Sequence, residues 1–164
     1  MEMKRKAVFL DRDGTLNADS AYASRYEQIA VYPESYEAVR NLNRAGLLIV
    51  VVTNQSAVGR GLMSEDDASF AARGARIDAV YFCPHHPQSA DPRYAKGCDC
   101  RKPEPGLGLR AAAELGIDLE SSYMIGDKAE DVLFGMNIGA LPILVMTGSG
   151  RESLEKLREM GLQP

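Results

Sequence analysis

The 164-residue sequence predicts an α/β fold, a parallel sheet of about five strands with helices on both faces. Three observations carry that reading. Short β-rich runs alternate with helical patterns, as parallel crossover connections require. The run Leu47 to Val52 is continuously aliphatic, as in a central strand covered on both faces. Acidic or polar turns follow several strand ends, where open α/β sheets bind their ligands.

Each element follows in order. Ala7 to Leu10 is the first strand and ends abruptly at Asp11. The polar stretch Asn17 to Tyr32 has no clear period and reads as a loop or flap. Pro33-Glu34 opens a helix carrying Tyr36, Val39 and Leu42, which Gly46 stops. Leu47 to Val52 is the second strand, and Thr53 to Gly61 a loop. Ser64 reads as the N-cap of a short helix that Gly74 limits. Ala79 to Cys83 is a third strand. The segment Cys83 to Pro105 then holds five of the eight prolines and reads as a long irregular excursion. Leu107, Ala111 and Leu115 mark a helix ended by Gly116. Tyr123 to Ile125 and Ile143 to Met146 are strands flanking a helix from Ala129 to Ile138. Leu154, Leu157 and Met160 give the last helix one apolar stripe. The whole chain, 1–164, reads as one domain with the 83–100 loop inside it.

Composition narrows the function classes. A net charge of −4 argues against a nucleic-acid partner. The longest aliphatic run is far below the roughly 20 residues that a bilayer-spanning helix needs. The start, Met1 to Lys6, leads into only four apolar residues before Asp11 and is unlike a secretory signal. The expectation is a soluble, cytoplasmic protein without membrane or nucleic-acid partners. Three cysteines clustered between Cys83 and Cys100 point to a metal and not to a disulfide framework.

The chemistry concentrates in the strand-end turns. Asp11-Arg12-Asp13-Gly14-Thr15 puts two carboxylates two residues apart, and Gly14 allows the sharp turn that brings both to one site. Such a pair suits divided labour, one ionised nucleophile beside a metal and one acid/base. A calcium loop would want Gly and Glu at the sixth and twelfth positions, where Leu16 and Tyr22 stand. Thr53-Asn54-Gln55 supplies hydroxyl and amide donors for phosphoryl oxygens. Arg101-Lys102-Pro103 supplies two adjacent cations, and Gly126-Asp127-Lys128-Ala129-Glu130-Asp131 is a second acidic turn. Carboxylates for a hard divalent cation and cations for a phosphate thus recur at the strands' carboxyl ends. Asp131 has a plainer reading as a group that caps its helix and orients its neighbours. Ser56 to Gly61 and Thr147 to Gly150 are Gly-rich but lack the Gly-Lys-Ser/Thr ending of a phosphate-binding P-loop, and read as turns.

DRDGT, TNQ, RKP and GDKAED, in that order, resemble the four motifs of the haloacid dehalogenase superfamily of phosphatases, whose fold is Rossmann-like. The longer stretches FLDRDGTLN, VVTNQSAVGRG, YFCPHHPQ, CDCRKPEPG and YMIGDKAED resemble its small capless branch. That branch contains the D-glycero-D-manno-heptose 1,7-bisphosphate 7-phosphatases and the histidinol-phosphate phosphatases. The resemblance implies that Asp11 is the nucleophile forming an aspartyl-phosphate and that Asp13 is the acid/base. It implies Mg2+ held by Asp11, the Asp13 carbonyl and Asp127. Thr53 and Lys102 would stabilise the phosphoryl group, with Asn54, Gln55 and Ser56 beside it. Arg101 would help recognise the substrate, Lys128 would lie close to the phosphate, and Asp19 and Tyr22 in the flap would contact the sugar.

Cys83-Pro84-His85 and Cys98-Asp99-Cys100 are two pairs separated by twelve residues. Three thiolates and an imidazole suit tetrahedral zinc, although each spacing is tighter than in zinc fingers. The residues alone leave His85 and His86 as alternatives; the resemblance implies Cys83, His85, Cys98 and Cys100. Four protein ligands would make this zinc structural. The expected substrate is a small sugar bisphosphate, with histidinol phosphate and a non-catalytic zinc-stabilised binding role as the rival readings. The segment from 62 to 78 and the C-terminal end are short against that branch. A monomer is expected, with self-association favoured if either shortening uncovers apolar sheet surface.

Overall fold

The computed structural model describes residues 4–18, 30–54, 67–86, 92–95 and 97–163. Its five strands, β1 (Ala7–Leu10), β2 (Leu48–Asn54), β3 (Ala79–Cys83), β4 (Tyr123–Gly126) and β5 (Leu141–Leu144), form one parallel sheet in the order β3-β2-β1-β4-β5. Its helices are α1 (Pro33–Arg44), α2 (Gly106–Leu115), α3 (Ala129–Ile138) and α4 (Gly150–Glu159). Residues 67–72 are also helical.

The aliphatic runs fill two cores at once, because successive strand residues point to opposite faces. Ala7 and Phe9 of β1, with Leu48, Val50 and Val52 of β2 and Met124 of β4, pack under α2 and α3 against Leu107, Ala111, Phe134 and Ile138. Val8, Leu10, Ile49 and Val51 face the other way, against Val39 of α1 and Phe70. Leu157 of α4 is fully buried against Ala129 and Val132, which anchors the last helix on α3.

Strands β2 and β5 differ from expectation by two residues or more at an end, and the start of β2 and the end of β4 by one. β2 runs through Thr53 and Asn54, because β3 continues beside it and pairs Thr53 with Phe82 and Asn54 with Cys83. β5 covers Leu141–Leu144 and not 143–146. Its register pairs Leu141 with Tyr123 and Leu144 with Gly126, so Met146 lies beyond the end of β4. Pro142 is tolerated because β5 is an edge strand. The N–H groups of Leu141 and Val145 donate to Ser122 and Gly126 of the β4 side, which leaves the intervening Pro142 nitrogen on the open edge. Leu141 is 58% exposed and Ile143 39%.

β1 lies at the centre, with β2 on one side and β4 on the other. The connections leave it in opposite directions, which opens a crevice at the carboxyl ends of these strands. No helix among the described residues is long and apolar enough to cross a membrane.

Candidate active site

The crevice is a cavity of about 580 Å³, within the range of small-molecule sites. It is lined by Asp11 and Asp13 after β1, Thr53 and Asn54 at the end of β2, Arg101 and Lys102, and Lys128 and Asp131 after β4. Four segments far apart in the chain converge there.

Asp11 continues β1, and its backbone N–H donates to the Ile125 carbonyl of β4, 2.9 Å away. Its carboxylate is buried, and Lys102 Nζ donates to Oδ1 at 2.7 Å. The same ammonium donates to Asp131 Oδ1 at 2.6 Å and to the Val52 carbonyl at 2.9 Å. Three acceptors therefore use all three of its protons. Burial would push the Lys102 ammonium down, but the charges of Asp11 and Asp131 and their hydrogen bonds outweigh it and hold its pKa above the ordinary lysine value. Burial pushes the Asp131 carboxyl up, with Lys102 pulling it back.

Asp131 shows both parts of its plainer reading, capping a helix and orienting a neighbour. Its Oδ2 accepts the Lys128 backbone N–H at 3.0 Å and caps α3, while Oδ1 holds Lys102. Asn54 has a role that sequence reasoning missed. Its Oδ1 accepts the Lys102 N–H at 2.8 Å and its Nδ2 donates to the Lys102 carbonyl at 3.1 Å, so the side chain clamps the lysine's main chain.

Asp13 is held from its own turn. Asn17 Nδ2 donates to Oδ1 at 2.8 Å, and the guanidinium of the buried Arg12 lies 3.6 Å from the same oxygen. Neither Arg12 nor Asn17 stood out in the sequence. Both lie inside DRDGTLN, and their burial is the signal that only the fold provides.

One carboxylate oxygen each from Asp11, Asp127 and Asp131 lies within 4.8 Å of the others. An all-oxygen donor set of this kind fits a hard divalent cation. Asp127 is completely buried, and burial raises its pKa although the Ser149 N–H opposes the shift. Gly14 makes the approach possible: its φ is +87°, and a Cβ there would collide with the Asp127 carboxylate.

The second cluster lies beside the first. Cys83, His85, Cys98 and Cys100 each bring one ligand atom within 4.8 Å of the others, and the three cysteines are free. Cys83 Sγ is 3.5 Å from Cys98 Sγ and 2.9 Å from Cys100 Sγ, and His85 Nδ1 is 3.3 Å from Cys100 Sγ. Ligand atoms about 2.1–2.3 Å from a tetrahedral zinc stand roughly 3.5–3.8 Å apart; the donor set fits that ion and the Cys83–Cys98 spacing matches, while the two contacts of Cys100 are tighter. Burial raises the Cys83 and Cys100 thiols, and at Cys100 the other two sulfurs add to the shift. A cation would remove this cost of forming thiolates. Arg101 Nη1 donates to the His85 carbonyl at 3.0 Å and so ties the cluster to the cavity wall.

The structure thus brings Asp11, Asp13, Thr53, Asn54, Arg101, Lys102 and Lys128 to one cavity, with Asp127 beside Asp11. Asp19, Tyr22, Gln55 and Ser56 lie outside the described residues.

Residues 99–162 match the HAD-hydrolase-like family model. The chain is 46% identical over 154 residues to a D-glycero-β-D-manno-heptose-1,7-bisphosphate 7-phosphatase of Pasteurella multocida, covering 88% of this chain and 83% of the relative. It is 42% identical over 153 residues to the enzyme of that name from Escherichia coli K12, covering 87% and 80%. Among solved structures, it resembles a D,D-heptose 1,7-bisphosphate phosphatase from B. bronchiseptica complexed with magnesium and phosphate. The TM-score is 0.80 at 32% identity, over 92% of this chain and 86% of the other. The corresponding enzyme from Burkholderia thailandensis gives a TM-score of 0.67 at 31% identity, over 98% and 88%.

Proposed function

This chain belongs to the haloacid-dehalogenase-like hydrolases, in the family of the heptose 1,7-bisphosphate 7-phosphatases, and we propose that it removes the 7-phosphate of D-glycero-β-D-manno-heptose 1,7-bisphosphate. The observation that carries the mechanism is the Lys102–Asp11 pair inside a cavity lined by carboxylates and cations.

Lys102 holds the Asp11 carboxylate in place through its 2.7 Å hydrogen bond, so that a carboxylate oxygen attacks the phosphorus and the bond to the sugar oxygen breaks. Asp13 gives its proton to that departing oxygen. It then takes a proton from the water that attacks the aspartyl-phosphate, which releases inorganic phosphate and restores both aspartates. Thr53, with Gln55 and Ser56 that follow in the sequence, orients the phosphoryl group, while Asn54 fixes Lys102. Asp11, Asp127 and the Asp13 carbonyl are the ligands we assign to Mg2+, which when bound neutralises charge on the phosphoryl oxygens. Arg101 and Lys128 supply cations for the rest of the substrate, with Asp19 and Tyr22 on its sugar. Zinc at Cys83, His85, Cys98 and Cys100 is structural, because four protein ligands leave it no open position. Residues 1–164 act as one domain. The net charge of −4 supports a reading without a nucleic-acid partner, and the unit proposed is a monomer acting in the cytoplasm, away from membranes.

The test is phosphate release with Mg2+ from both anomers of the heptose bisphosphate and from histidinol phosphate, with EDTA and Asp11→Asn controls. Metal-dependent cleavage of the β anomer above the others is expected. A preference for histidinol phosphate would overturn the substrate while retaining the mechanism. No release from a folded, zinc-loaded sample would overturn both.

A further inference from the structure

Thr147-Gly148-Ser149 follows β5 and belongs to none of the four strand-end motifs. In the fold it closes over Asp127. The Ser149 backbone N–H donates to Asp127 Oδ2 at 2.7 Å, and the Thr15 hydroxyl donates to the opposite oxygen, Oδ1, at 3.3 Å. Thr147 Oγ1 donates to the Gly14 carbonyl at 2.6 Å, across 133 residues of sequence. Gly148 has φ +51°, and a Cβ there would collide with Asp127 Oδ2 and stand 2.7 Å from Gly14 Cα. The Asp127 carboxylate is therefore wedged between two glycines, Gly14 from the β1 turn and Gly148 from the β5 turn, with one donor on each oxygen.

We infer that Thr147–Ser149 is a positioning element that aims the Asp127 carboxylate at Asp11 and thereby sets the affinity for the divalent cation. This rests on the reading of Asp127 as a ligand given above. A carboxylate offers about four lone-pair sites. Two are occupied by Ser149 and Thr15, so rotation of the group about its Cβ–Cγ bond is blocked and the remaining sites face a fixed direction. Groups that hydrogen-bond a metal-ligating carboxylate set its orientation and basicity, and their loss typically weakens metal binding about 10- to 100-fold. The Thr147 link to Gly14 adds a second constraint. It fastens the β5 turn to the turn that carries Asp13, so the two sources of metal ligands keep one spacing. Side-chain substitution cannot delete the Ser149 N–H, and Gly148 and Thr147 are the positions through which it can be displaced.

The experiment is isothermal titration of the full-length, zinc-loaded protein with Mg2+, alongside melting curves, for wild type, Gly148→Ala, Thr147→Val, Thr147→Ser and Asp127→Asn. Gly148→Ala is expected to raise the Mg2+ Kd about 10- to 100-fold. Thr147→Val should raise it several-fold while Thr147→Ser, which keeps the hydroxyl, stays at the wild-type value. Wild-type Kd in folded Gly148→Ala, or equal Kd in Thr147→Val and Thr147→Ser, overturns the inference. If Gly148→Ala does not fold, the two threonine variants decide. Asp127→Asn separates the two levels: wild-type Mg2+ binding there refutes the ligand reading, whereas its loss together with unchanged Gly148 and Thr147 variants refutes the positioning role alone.

Discussion

Lys102 Nζ lies 2.7 Å from Asp11 Oδ1 in a buried contact between residues 91 positions apart. The pair joins the β1 turn to the end of the cysteine loop, and Asp131 completes it from α3 at 2.6 Å. Asp11, its cation and the second acidic turn therefore form one electrostatic unit.

Replacing Asp11 with Asn keeps the side-chain volume but removes the attacking charge. Turnover is expected to fall below detection, while zinc content and circular dichroism stay at wild-type values. Full activity in Asp11→Asn would sink the covalent mechanism.

Lys102→Met leaves Asp11 and Asp131 facing each other without their shared cation. Breaking a buried pair costs about 3–5 kcal/mol, which in a protein of this size lowers Tm by about 10 °C. Loss of one stabilising charge in the phosphoryl site costs about 10²–10³ in kcat. A variant with wild-type Tm in differential scanning calorimetry would contradict the burial and bonding of this ammonium.

Stripping zinc, or substituting Cys100→Ser, should act through Arg101. The guanidinium is tied to the His85 carbonyl, and Cys100 is its covalent neighbour. KM is expected to rise more than kcat falls, and Tm to drop. Metal analysis of the wild type should give one zinc per chain, and a zinc-free wild type with the same KM would count against the assignment.

Tyr81 offers a pH test away from the metals. Its hydroxyl donates to Glu114 Oε2 at 2.6 Å, and burial, with this bond and charge, pushes its pKa up to about 12. A raised phenol pKa favours the protonated form in the folded state. Its stabilising contribution is therefore complete below the ordinary value near 10 and is lost as pH rises through about 12. In absorbance titration at 295 nm, Tyr81→Phe should delete a tyrosine transition near pH 12. Deletion of one near pH 10 would disprove the shift.

By itself the sequence determined the five-strand parallel sheet, the order of the helices and the strand-end turns that carry Asp11, Thr53, Lys102 and Asp127. Those features are local. Aliphatic runs, glycine stops and acidic turns are written in consecutive residues, and they restrict the backbone before any long-range contact forms. The same locality explains its errors. The end of β2 at Asn54 and the start of β5 at Leu141 depend on pairing with β3 and β4, and no local pattern encodes a partner's register. Only the tertiary structure decided how the side chains are shared: Asn54 clamping the Lys102 main chain, Asp131 dividing its oxygens between Lys102 and α3, and Thr147 reaching Gly14. Apart from the local cap that Asp131 gives α3, each is a hydrogen bond between residues 29 to 133 positions apart, and its existence rests on the assembled sheet and helices that bring the partners together.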